Sequence, residues 1–459
     1  MSELAQQPDA FRRRAGEALE DDHLQQAIAY STERLFGHRT EAWALLDDVE
    51  RLREAGREIR TRTIAELDRH LATFITAVEA RGGHVERCAT AEEARRYIVD
   101  VCSTANAKLA VKSKSMASEE IGLNPALKEA GVESVATDLG DYLIQLAGTH
   151  PAHIVAPAIE LTRHDVARLL GAVDGVPVEP ELGALTATAR RQLREKFLAA
   201  DVGITGANFG VAETGSICLV TNEGNGRLVS SQPRVHIAVM GIERVVPTTA
   251  ELAVMLQLLA RSATGQKLTV YTTLITGPRR EGETDGPEQL HVVLLDNGRS
   301  RLRGGKYREM LNCIRCGACL NVCPVYRKAG GGSYGPVYSG PMGAVLVPLM
   351  TGLDKAPALP HASSLCGACT AACPVKIPLH ELLLELRADL VEQGVASRRE
   401  RLALAAWSYA WSRPWGYRLT TALARLGQRF GHLAGPGRVW ARGRKLPPIA
   451  RRRYRDRRT

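Results

Sequence analysis

The chain has 459 residues, of which 45% are apolar and 24% are charged, a composition typical of globular proteins with two or three domains. No apolar run approaches the roughly 20 residues that a membrane-spanning helix requires. The first residues, MSELAQQPDAFRRR, lack the apolar stretch of a signal peptide. We therefore expect a cytoplasmic protein without a membrane span.

The net charge of +10 is concentrated at the C-terminus. From Arg413 to Thr459 there are fourteen Lys and Arg residues and one acid, which leaves 46 basic and 49 acidic residues elsewhere. We expect this basic end to be disordered and solvated. It is a candidate for contact with an anionic membrane surface. Nucleic acid is the less expected partner, because the chain has neither a recognition-helix pattern nor an aromatic platform.

Residues 1–83 are predicted to form an N-terminal helical region. Apolar residues recur three and four positions apart in AIAYSTERLF, EAWALLDDVERLREAGREIR and TIAELDRHLATFITAVEARG, with charged residues between them. This spacing is typical of amphipathic helices. The pair Gly82-Gly83 ends the pattern.

Residues 84–300 are predicted to form an α/β domain. Helix-like segments such as EEARRYIVDVCS, HDVARLLGAV and TAELAVMLQLLARSA alternate with short β-branched runs. Because several runs are apolar at nearly every position, the pattern favours a mostly parallel sheet with helices on both faces. His153 and His236, in or beside these runs, are expected to be core histidines rather than proton shuttles. The predicted strands are 108–112, 153–158, 201–207, 216–221, 234–242, 268–275 and 291–296.

The segment KSKSMASEE is a candidate anion site. It places Lys112 and Lys114 at a predicted strand-to-helix junction, where lysines and free N–H groups favour a carboxylate or a phosphate. An ordinary helix cap explains the same serines and acids, so both interpretations stay open.

The glycine-rich segment ITGANFGVAETGS is a second candidate ligand site. Gly206, Asn208 and Gly215 lie where backbone N–H groups would approach a ligand, and Glu213 is a candidate for a catalytic acid, base or nucleophile. The alternative is a tight connection that needs positive φ at its glycines. We favour a ligand-binding loop over covalent catalysis.

The segment RSRLRGG, residues 299–305, is predicted to be a linker. Residues 301–390 are predicted to form an α-helical ferredoxin-like domain, in which YREMLNCIRC and HELLLELRADLVEQG are helices. Residues 391–459 are predicted to add a C-terminal helical region, from the aromatic-rich run LALAAWSYAWSRPWGYRLTTALARL, and the basic tail.

The ten cysteines are not expected to form disulfides in a reducing cytoplasm. Cys88, Cys102 and Cys218 stand in apolar or mixed segments and are expected to be small buried hydrophobic residues. The other seven form two motifs, Cys313-x2-Cys316-x2-Cys319-x3-Cys323-Pro324 and Cys366-x2-Cys369-x3-Cys373-Pro374.

The two cysteine motifs predict two iron–sulfur clusters. Three cysteines at x2 spacing come from one tight turn, whereas the cysteine before proline ligates the other cluster in two-cluster ferredoxins. A structural zinc site is the alternative, but seven cysteines with two CxxxCP endings fit four zinc ligands poorly. With this crossing, cluster 1 takes Cys313, Cys316, Cys319 and Cys373, and cluster 2 takes Cys323, Cys366 and Cys369.

The second motif lacks a fourth cysteine, because Ser363 stands three positions before Cys366. We expect [4Fe–4S] clusters, but cluster 2 leaves three outcomes open. It is a [3Fe–4S] cluster, a [4Fe–4S] cluster with an open or water-ligated iron, or a cluster with an oxygen ligand such as Ser363. The alternative for Ser363 is that it only caps the following turn.

The loop between the two motifs contains a literal GxGxxG pattern from Gly330 to Gly335. It follows no predicted strand and opens no helix, so a bound NAD or FAD is not supported. We expect the loop, residues 329–343, to wrap closely around a cluster and to donate backbone N–H groups to its sulfur atoms.

The two cysteine segments, CIRCGACLNVCPVYR and SLCGACTAACPVKIP, resemble the lactate utilisation protein B family. So do KSKSMASEEIGLN, TDLGDYLIQLAG, HIVAPAI and ITGANFGVAETGSICLVTNEGNGR. The resemblance implies that the α/β part is a lactate-utilisation domain, similar in fold to the NagB/RpiA/CoA-transferase class. It also implies that L-lactate is oxidised to pyruvate together with two companions, a cysteine-rich protein and a smaller α/β protein. The family has seven cluster cysteines, so Ser363 is not a departure from it.

Three functions follow as hypotheses. The first is a non-autonomous iron–sulfur electron-transfer subunit of an L-lactate-oxidising complex. The second is a self-sufficient cluster-dependent oxidoreductase acting on a small carboxylic acid. The third is a redox-responsive nucleic-acid-binding protein.

Overall fold

The computed structural model of the chain describes residues 10–335, 337–396 and 398–430. The chain forms two compact units, of which the first ends at Asp389 and the second begins at Leu390. The predicted disordered tail, after residue 430, lies outside the described residues. No helix in the described ranges is long and apolar enough to cross a membrane.

Four helices open the described chain and confirm the helical prediction for this region. The side chains of Asp21 and Asp48 cap the second and third helices by accepting hydrogen bonds from the amides of Leu24 and Arg51. The helices are α1 (Ala10–Glu20), α2 (Asp22–Ala44), α3 (Val49–Ala65) and α4 (Leu67–Glu79).

The α/β part contains ten strands and nine helices. The strands are β1 (His84–Cys88), β2 (Leu109–Lys112), β3 (Glu133–Ala136), β4 (Val202–Gly206), β5 (Phe209–Val211), β6 (Ser216–Thr221), β7 (Val235–Gly241), β8 (Val245–Val246), β9 (Tyr271–Ile275) and β10 (Gln289–Leu295). The helices are α5 (Ala91–Thr104), α6 (Met116–Glu120), α7 (Leu123–Glu129), α8 (Leu139–Ala147), α9 (Arg163–Asp174), α10 (Leu182–Ala199), α11 (Asn225–Ser231), α12 (Thr249–Ala263) and α13 (Arg299–Leu302).

Six strands form a parallel sheet in the order β1-β10-β7-β4-β2-β3, which confirms the predicted α/β class. The central strand β7 is buried along its whole length. Its residues alternate between two cores, because successive side chains of a strand point to opposite faces. Ile237 and Val239 pack with Ile98 of α5, whereas Ala238 and Met240 belong to the core around α4. A second sheet has the order β8-β5-β6-β9, with β6 antiparallel to both of its neighbours.

Two predictions for the α/β part were wrong. Residues 153–158 form no strand, because the amides of Val155 and Ala156 donate to the ring nitrogen Nδ1 of His153 instead of to a neighbouring strand. The predicted linker opens with the short helix α13, whose Arg299 is only 2% exposed. A linker would leave such a side chain in solvent.

The cysteine region is helical, as predicted, but its helices are short. The predicted helix over YREMLNCIRC was wrong, since only Arg308–Asn312 is coiled, as a 3-10 turn, and the chain then becomes irregular. The helices are α14 (Ala318–Asn321), α15 (Tyr326–Ala329), α16 (Gly340–Thr351), α17 (Ala368–Ala372) and α18 (Leu379–Glu392). Beyond them lie α19 (Arg398–Trp411) and α20 (Pro414–Phe430), where Trp411 packs on Tyr417 with ring centroids 5.3 Å apart.

Candidate iron–sulfur site

The two cysteine motifs fold into the same kind of turn. The residue before Cys316 is Arg315, with φ of +58°, and the residue before Cys366 is Leu365, with φ of +55°. Positive φ is uncommon for non-glycine residues. In each motif a glycine with positive φ follows the cysteine and opens a short helix, α14 or α17. The sequence repeat is therefore also a repeat in backbone conformation.

Backbone amides point at the cysteine sulfur atoms. The amides of Arg315, Tyr326 and Ile377 donate to the Sγ atoms of Cys313, Cys323 and Cys373 over 3.4, 3.5 and 3.3 Å. Hydrogen bonds of this kind stabilise the thiolate, which is the form that binds metal.

The first group of cysteines contains a residue from each motif. Three come from the first turn and Cys373 comes from the second motif. Burial raises the pKa of Cys316 and of Cys373 to about 12. Met342 and Ile154 close the small cavity that Cys313, Cys316, Cys319 and Cys373 line.

The second group consists of Cys323, Cys366 and Cys369. Burial, together with the charge of the neighbouring Cys323, raises the pKa of Cys369 to about 11. Cys366 is exposed, and hydrogen bonds from the amide of Ala368 and the hydroxyl of Ser364 lower its pKa. This group lies nearer to solvent than the first.

The donor set suits a polynuclear cluster. Buried thiols with pKa values near 12 stay protonated at neutral pH unless a cation stabilises the thiolate. Among the residues that the structure describes, no three His, Cys, Asp or Glu side chains are grouped to share one metal ion. In a cubane each iron takes its own thiolate, so the four sulfur atoms lie further apart than the ligands of a single ion.

Ser363 is engaged in the turn that precedes Cys366. Its hydroxyl oxygen accepts a hydrogen bond from the amide of Leu365 over 3.0 Å, and its carbonyl oxygen accepts one from Arg387 over 2.9 Å. This geometry matches the turn-capping alternative for Ser363.

A cavity of about 1070 Å³ lies at the carboxyl ends of β2, β4 and β7, the usual ligand position in an open parallel sheet. Of the predicted ligand residues, Lys114, Gly206 and Asn208 line it. The Nζ atom of Lys114 is buried, and none of the described residues gives it a hydrogen-bond partner. Arg315 and Ile154 line both this cavity and the small cavity between the cysteines.

Titratable groups around Lys114 have shifted pKa values. Burial lowers the pKa of Lys114, and the carboxylates of Asp138, Asp141 and Glu223 act against that shift. Burial raises the pKa of Asp141 to about 7, and burial together with Asp138 raises the pKa of Glu223 to about 7.

The remaining candidate residues lie outside the lining of this cavity. Lys112 donates to Glu119 over 3.2 Å and also to Asn124. Gly215 has φ of +68°, and a Cβ atom there would approach the backbone of Ala77 to 2.6 Å, so a tight connection explains this glycine. Glu213 is exposed and accepts hydrogen bonds from the amide and hydroxyl of Thr249, each over 2.6 Å, at the start of α12.

Both histidines are core residues in the structure. His153 is 1% exposed and its Nε2 atom lies 3.2 Å from the Oδ1 atom of Asn321 on α14. His236 lies on β7 with its Nε2 atom 2.8 Å from the hydroxyl of Thr205. Burial lowers the pKa of each to about 3, so both rings are neutral.

Comparison with known proteins assigns both parts of the chain. The LUD domain family matches residues 71–295, and the 4Fe-4S dicluster domain family matches residues 309–377. Lactate utilization protein B from Bacillus pumilus (strain SAFR-032) is 48% identical over 456 residues, covering 97% of this chain and 96% of its own. The protein of that name from Bacillus thuringiensis (strain Al Hakam) is 47% identical over 454 residues, with the same coverage of both chains. This chain belongs to the lactate utilization protein B family.

The family matches confirm three predictions for this lactate utilization protein B family member. These are the α/β class, the ferredoxin-type helical domain and the iron–sulfur assignment. The domain boundaries at 83, 300 and 390 stay predictions. A crystal structure of a DUF162 family protein from Deinococcus radiodurans aligns with 50% of this chain and 98% of its own, at 15% identity and a TM-score of 0.26.

Several arginines contact the backbone of the cysteine motifs, and the sequence did not predict them. Arg53 of α3 donates to the carbonyl oxygen of Cys373 over 2.8 Å, and Arg39 of α2 donates to that of Ala372 over 2.9 Å. Arg244, between β7 and β8, donates to the carbonyl oxygen of Cys313 over 3.1 Å. No local sequence signal marks these residues, because each is remote in sequence from the cysteine it contacts.

Proposed function

We propose that this protein is the iron–sulfur electron-transfer subunit of a complex that oxidises L-lactate to pyruvate. One observation carries the proposal. Cys373 of the second motif shares a cavity with Cys313, Cys316 and Cys319 of the first, an arrangement that the ligand crossing of two-cluster ferredoxins requires. Relatives that match 97% of the chain carry the name lactate utilization protein B.

The donor sets support two different clusters. Cys313, Cys316, Cys319 and Cys373 would hold a [4Fe–4S] cluster. Cys323, Cys366 and Cys369 would hold a [3Fe–4S] cluster, or a [4Fe–4S] cluster whose fourth ligand is not cysteine. When bound, such clusters accept and release single electrons.

The function requires companion proteins. Oxidation of lactate to pyruvate removes two electrons and two protons, whereas iron–sulfur clusters move electrons one at a time and take up no hydride, so another group must first accept them from lactate. We propose the two companions that the family resemblance implies, a cysteine-rich protein and a smaller α/β protein. We also propose a cytoplasmic location for the complex.

The proposal is tested by reconstituting the complex anaerobically. L-Lactate is added to the chain alone, to the companions alone and to all three, while cluster reduction is followed by electron paramagnetic resonance and pyruvate is measured. We expect pyruvate and cluster reduction only with all three proteins. Cys373→Ser should abolish electron transfer, and Cys102→Ser, which changes a fully buried cysteine of the α/β core, should retain it.

A self-sufficient oxidoreductase is the second candidate, and the cavity beside Arg315 favours it. Lys114 would hold the carboxylate of a small acid, with Gly206 and Asn208 beside it. The test is the thermal shift produced by L-lactate or pyruvate in the wild type, in Lys114→Met and in Lys128→Met, whose lysine is exposed on α7. Cluster reduction by lactate with the chain alone would replace the first proposal by this one.

Contact with an anionic membrane surface is proposed for the second unit. On α19 and α20 the side chains of Trp407, Trp411 and Trp415 are exposed, and Arg413 and Arg418 lie close by in the sequence. Aromatic residues next to basic ones favour anionic interfaces. We expect co-sedimentation with phosphatidylglycerol vesicles at low salt and none with phosphatidylcholine vesicles. A salt-dependent shift of DNA in a gel, lost on deleting residues 441–459, would instead support nucleic-acid binding.

A further inference from the structure

Four arginines surround the first group of cysteines, and we call Arg39, Arg53, Arg244 and Arg315 the arginine collar. Arg39 and Arg53 come from α2 and α3, Arg244 follows β7, and Arg315 lies inside the first cysteine turn. We propose that the arginine collar raises the reduction potential of the cluster held by Cys313, Cys316, Cys319 and Cys373. The inference rests on that ligand assignment, not on lactate as the substrate.

The collar touches the ligand-bearing backbone directly. Arg53 uses two nitrogens, Nε and Nη2, on the carbonyl oxygen of Cys373, at 3.3 and 2.8 Å. It also reaches the carbonyl oxygen of Ala371 over 2.9 Å. Arg39 contacts the carbonyl oxygen of Ala372, and Arg244 contacts that of Cys313. Together with Arg53, three guanidinium groups therefore bind the backbone of a proposed cluster ligand or of the residue next to one.

The arginines are held in a partly desolvated environment. Arg244 is 6% exposed and stacks on Phe209 at 4.8 Å from the ring centroid. The side chain of Arg315 is 14% exposed and lies over Tyr338 at 4.6 Å. Arg39 stacks on Trp43 at 4.3 Å. Charges act more strongly here than in water, because the effective dielectric constant is lower.

Carboxylates offset only part of this positive charge. Glu50 pairs with Arg53 but is itself largely exposed, with 62% of its side chain in solvent. Glu243 lies 3.3 Å from Arg315 and is shared with Arg299 at 2.7 Å. Glu243 also acts on the charge of Arg244, so this one carboxylate is divided among three arginines, and within the described ranges no carboxylate lies at ion-pair distance from Arg39. An excess of positive charge therefore faces the first group of thiolates.

A nearby positive charge shifts a cluster potential in a defined direction. Four thiolates give the cluster a net negative charge, and reduction adds one more. A fixed cation stabilises the reduced state more than the oxidised state, so it raises the potential. The hydrogen bonds of Arg39, Arg53 and Arg244 end on or next to Cys373 and Cys313, so the effect acts on the first cluster rather than on the second.

Arg39 is the residue for the test, since its removal breaks no ion pair. Arg39→Gln keeps a side-chain donor near the carbonyl oxygen of Ala372 but removes the charge, whereas Arg39→Lys keeps the charge. Arg57→Gln is the matched control, because Arg57 is a half-exposed arginine of α3 that pairs with Glu54. Each variant is purified with its clusters, and the midpoint potential of each cluster is measured by a redox titration followed by electron paramagnetic resonance.

We expect Arg39→Gln to lower the potential of the four-cysteine cluster and to leave that of the other cluster unchanged. Arg39→Lys should stay close to the wild type, and so should Arg57→Gln. Arg244→Gln provides a second, independent measurement in the same direction. Equal potentials for wild type and Arg39→Gln, or an equal shift of both clusters, would overturn the proposal.

The same preparations separate the possible failures. If Cys373→Ser retains the iron and sulfide content and both cluster signals, the ligand assignment fails. If Cys373→Ser loses one signal but Arg39→Gln shifts no potential, only the arginine collar fails. The titration requires neither lactate nor companion proteins, so its result does not depend on the proposed reaction.

Discussion

The hydroxyl of Ser363 and the thiol of Cys313 occupy corresponding positions in the two cysteine turns. The sulfur of Cys313 accepts a hydrogen bond from the amide two residues later, that of Arg315, over 3.4 Å. The oxygen of Ser363 accepts one from the amide two residues later, that of Leu365, over 3.0 Å. The second turn therefore has the backbone conformation that would present a fourth thiolate to the second cluster, but the side chain at this position is a serine with a hydroxyl oxygen.

Exchanging these two residues should exchange the properties of the two clusters. We expect Ser363→Cys to give the second cluster four thiolates, with the signal of a cubane, and Cys313→Ser to reduce the first cluster to three. Ser363→Ala should retain both signals, because the three thiolates of the second cluster remain. The measurements are iron and sulfide content and electron paramagnetic resonance. Loss of one signal in Ser363→Ala would identify Ser363 as a ligand.

The proposed crossing of ligands between the two motifs predicts which cysteines hold the same cluster. Cys373→Ser should alter the same signal as Cys316→Ser, although the two residues lie in different motifs. Cys323→Ser should alter the same signal as Cys369→Ser. Cys102→Ser, which changes a fully buried cysteine of the α/β core, should alter neither. If Cys373→Ser and Cys369→Ser changed the same signal, the ligands would follow the motifs instead of crossing.

The sequence predicts those features of the fold and of the site that depend on residues close together in the chain. Cysteine spacing gave the two turns, and apolar runs such as 234–242 gave the buried strand β7. The predicted strand at residues 153–158 was wrong because a side chain takes the place of a neighbouring strand as hydrogen-bond acceptor. The ring of His153 accepts from the amides of Val155 and Ala156. It also could not find Arg53, whose contact with Cys373 spans 320 residues and is fixed only when α3 packs beside the cysteine domain.

Arg60 on α3 makes a prediction about stability. Its guanidinium is fully buried and donates to the carbonyl oxygens of Val245 and Leu311, each over 3.0 Å, and also to that of Glu243. Arg60→Ala leaves three buried carbonyl groups without this donor, and each loss costs about 1–3 kcal/mol. Because the substitution also relieves the cost of burying the guanidinium group, we expect a net destabilisation of roughly 3–5 kcal/mol, below the sum of the three losses.

Thermal unfolding of Arg60→Ala and Arg57→Ala would measure this cost. Arg57 lies one turn earlier on the same helix, and its side chain is 46% exposed. A surface substitution of this kind changes the stability by about 0.5 kcal/mol or less. Melting temperatures that are equal in the two variants would contradict a structural role for Arg60.

Asp141 makes a prediction about pH. Its pKa is about 7 in the folded protein because it is buried, whereas an unfolded aspartate has a pKa of about 3.9. When the pKa of a carboxyl group is higher in the folded protein than in the unfolded chain, its contribution to stability is fully present at pH values below the unfolded pKa. That contribution is lost as the pH rises through the folded pKa. Between about pH 5 and pH 7 the wild type should therefore lose stability relative to Asp141→Asn, with a slope of up to about 1.4 kcal/mol per pH unit.

The comparison between wild type and Asp141→Asn is measured by denaturant or thermal unfolding at a series of pH values from 5 to 9. Above about pH 8 the difference should become constant, since Asp141 is then largely ionised in both states. Lys114→Met removes the nearby ammonium that lowers the pKa of Asp141, so it should move this plateau to higher pH. Asp47→Asn, at an exposed position, serves as the control. A difference that stays constant from pH 5 to 8 would mean that Asp141 titrates as it does in the unfolded chain, and that burial beside Lys114 does not govern its charge.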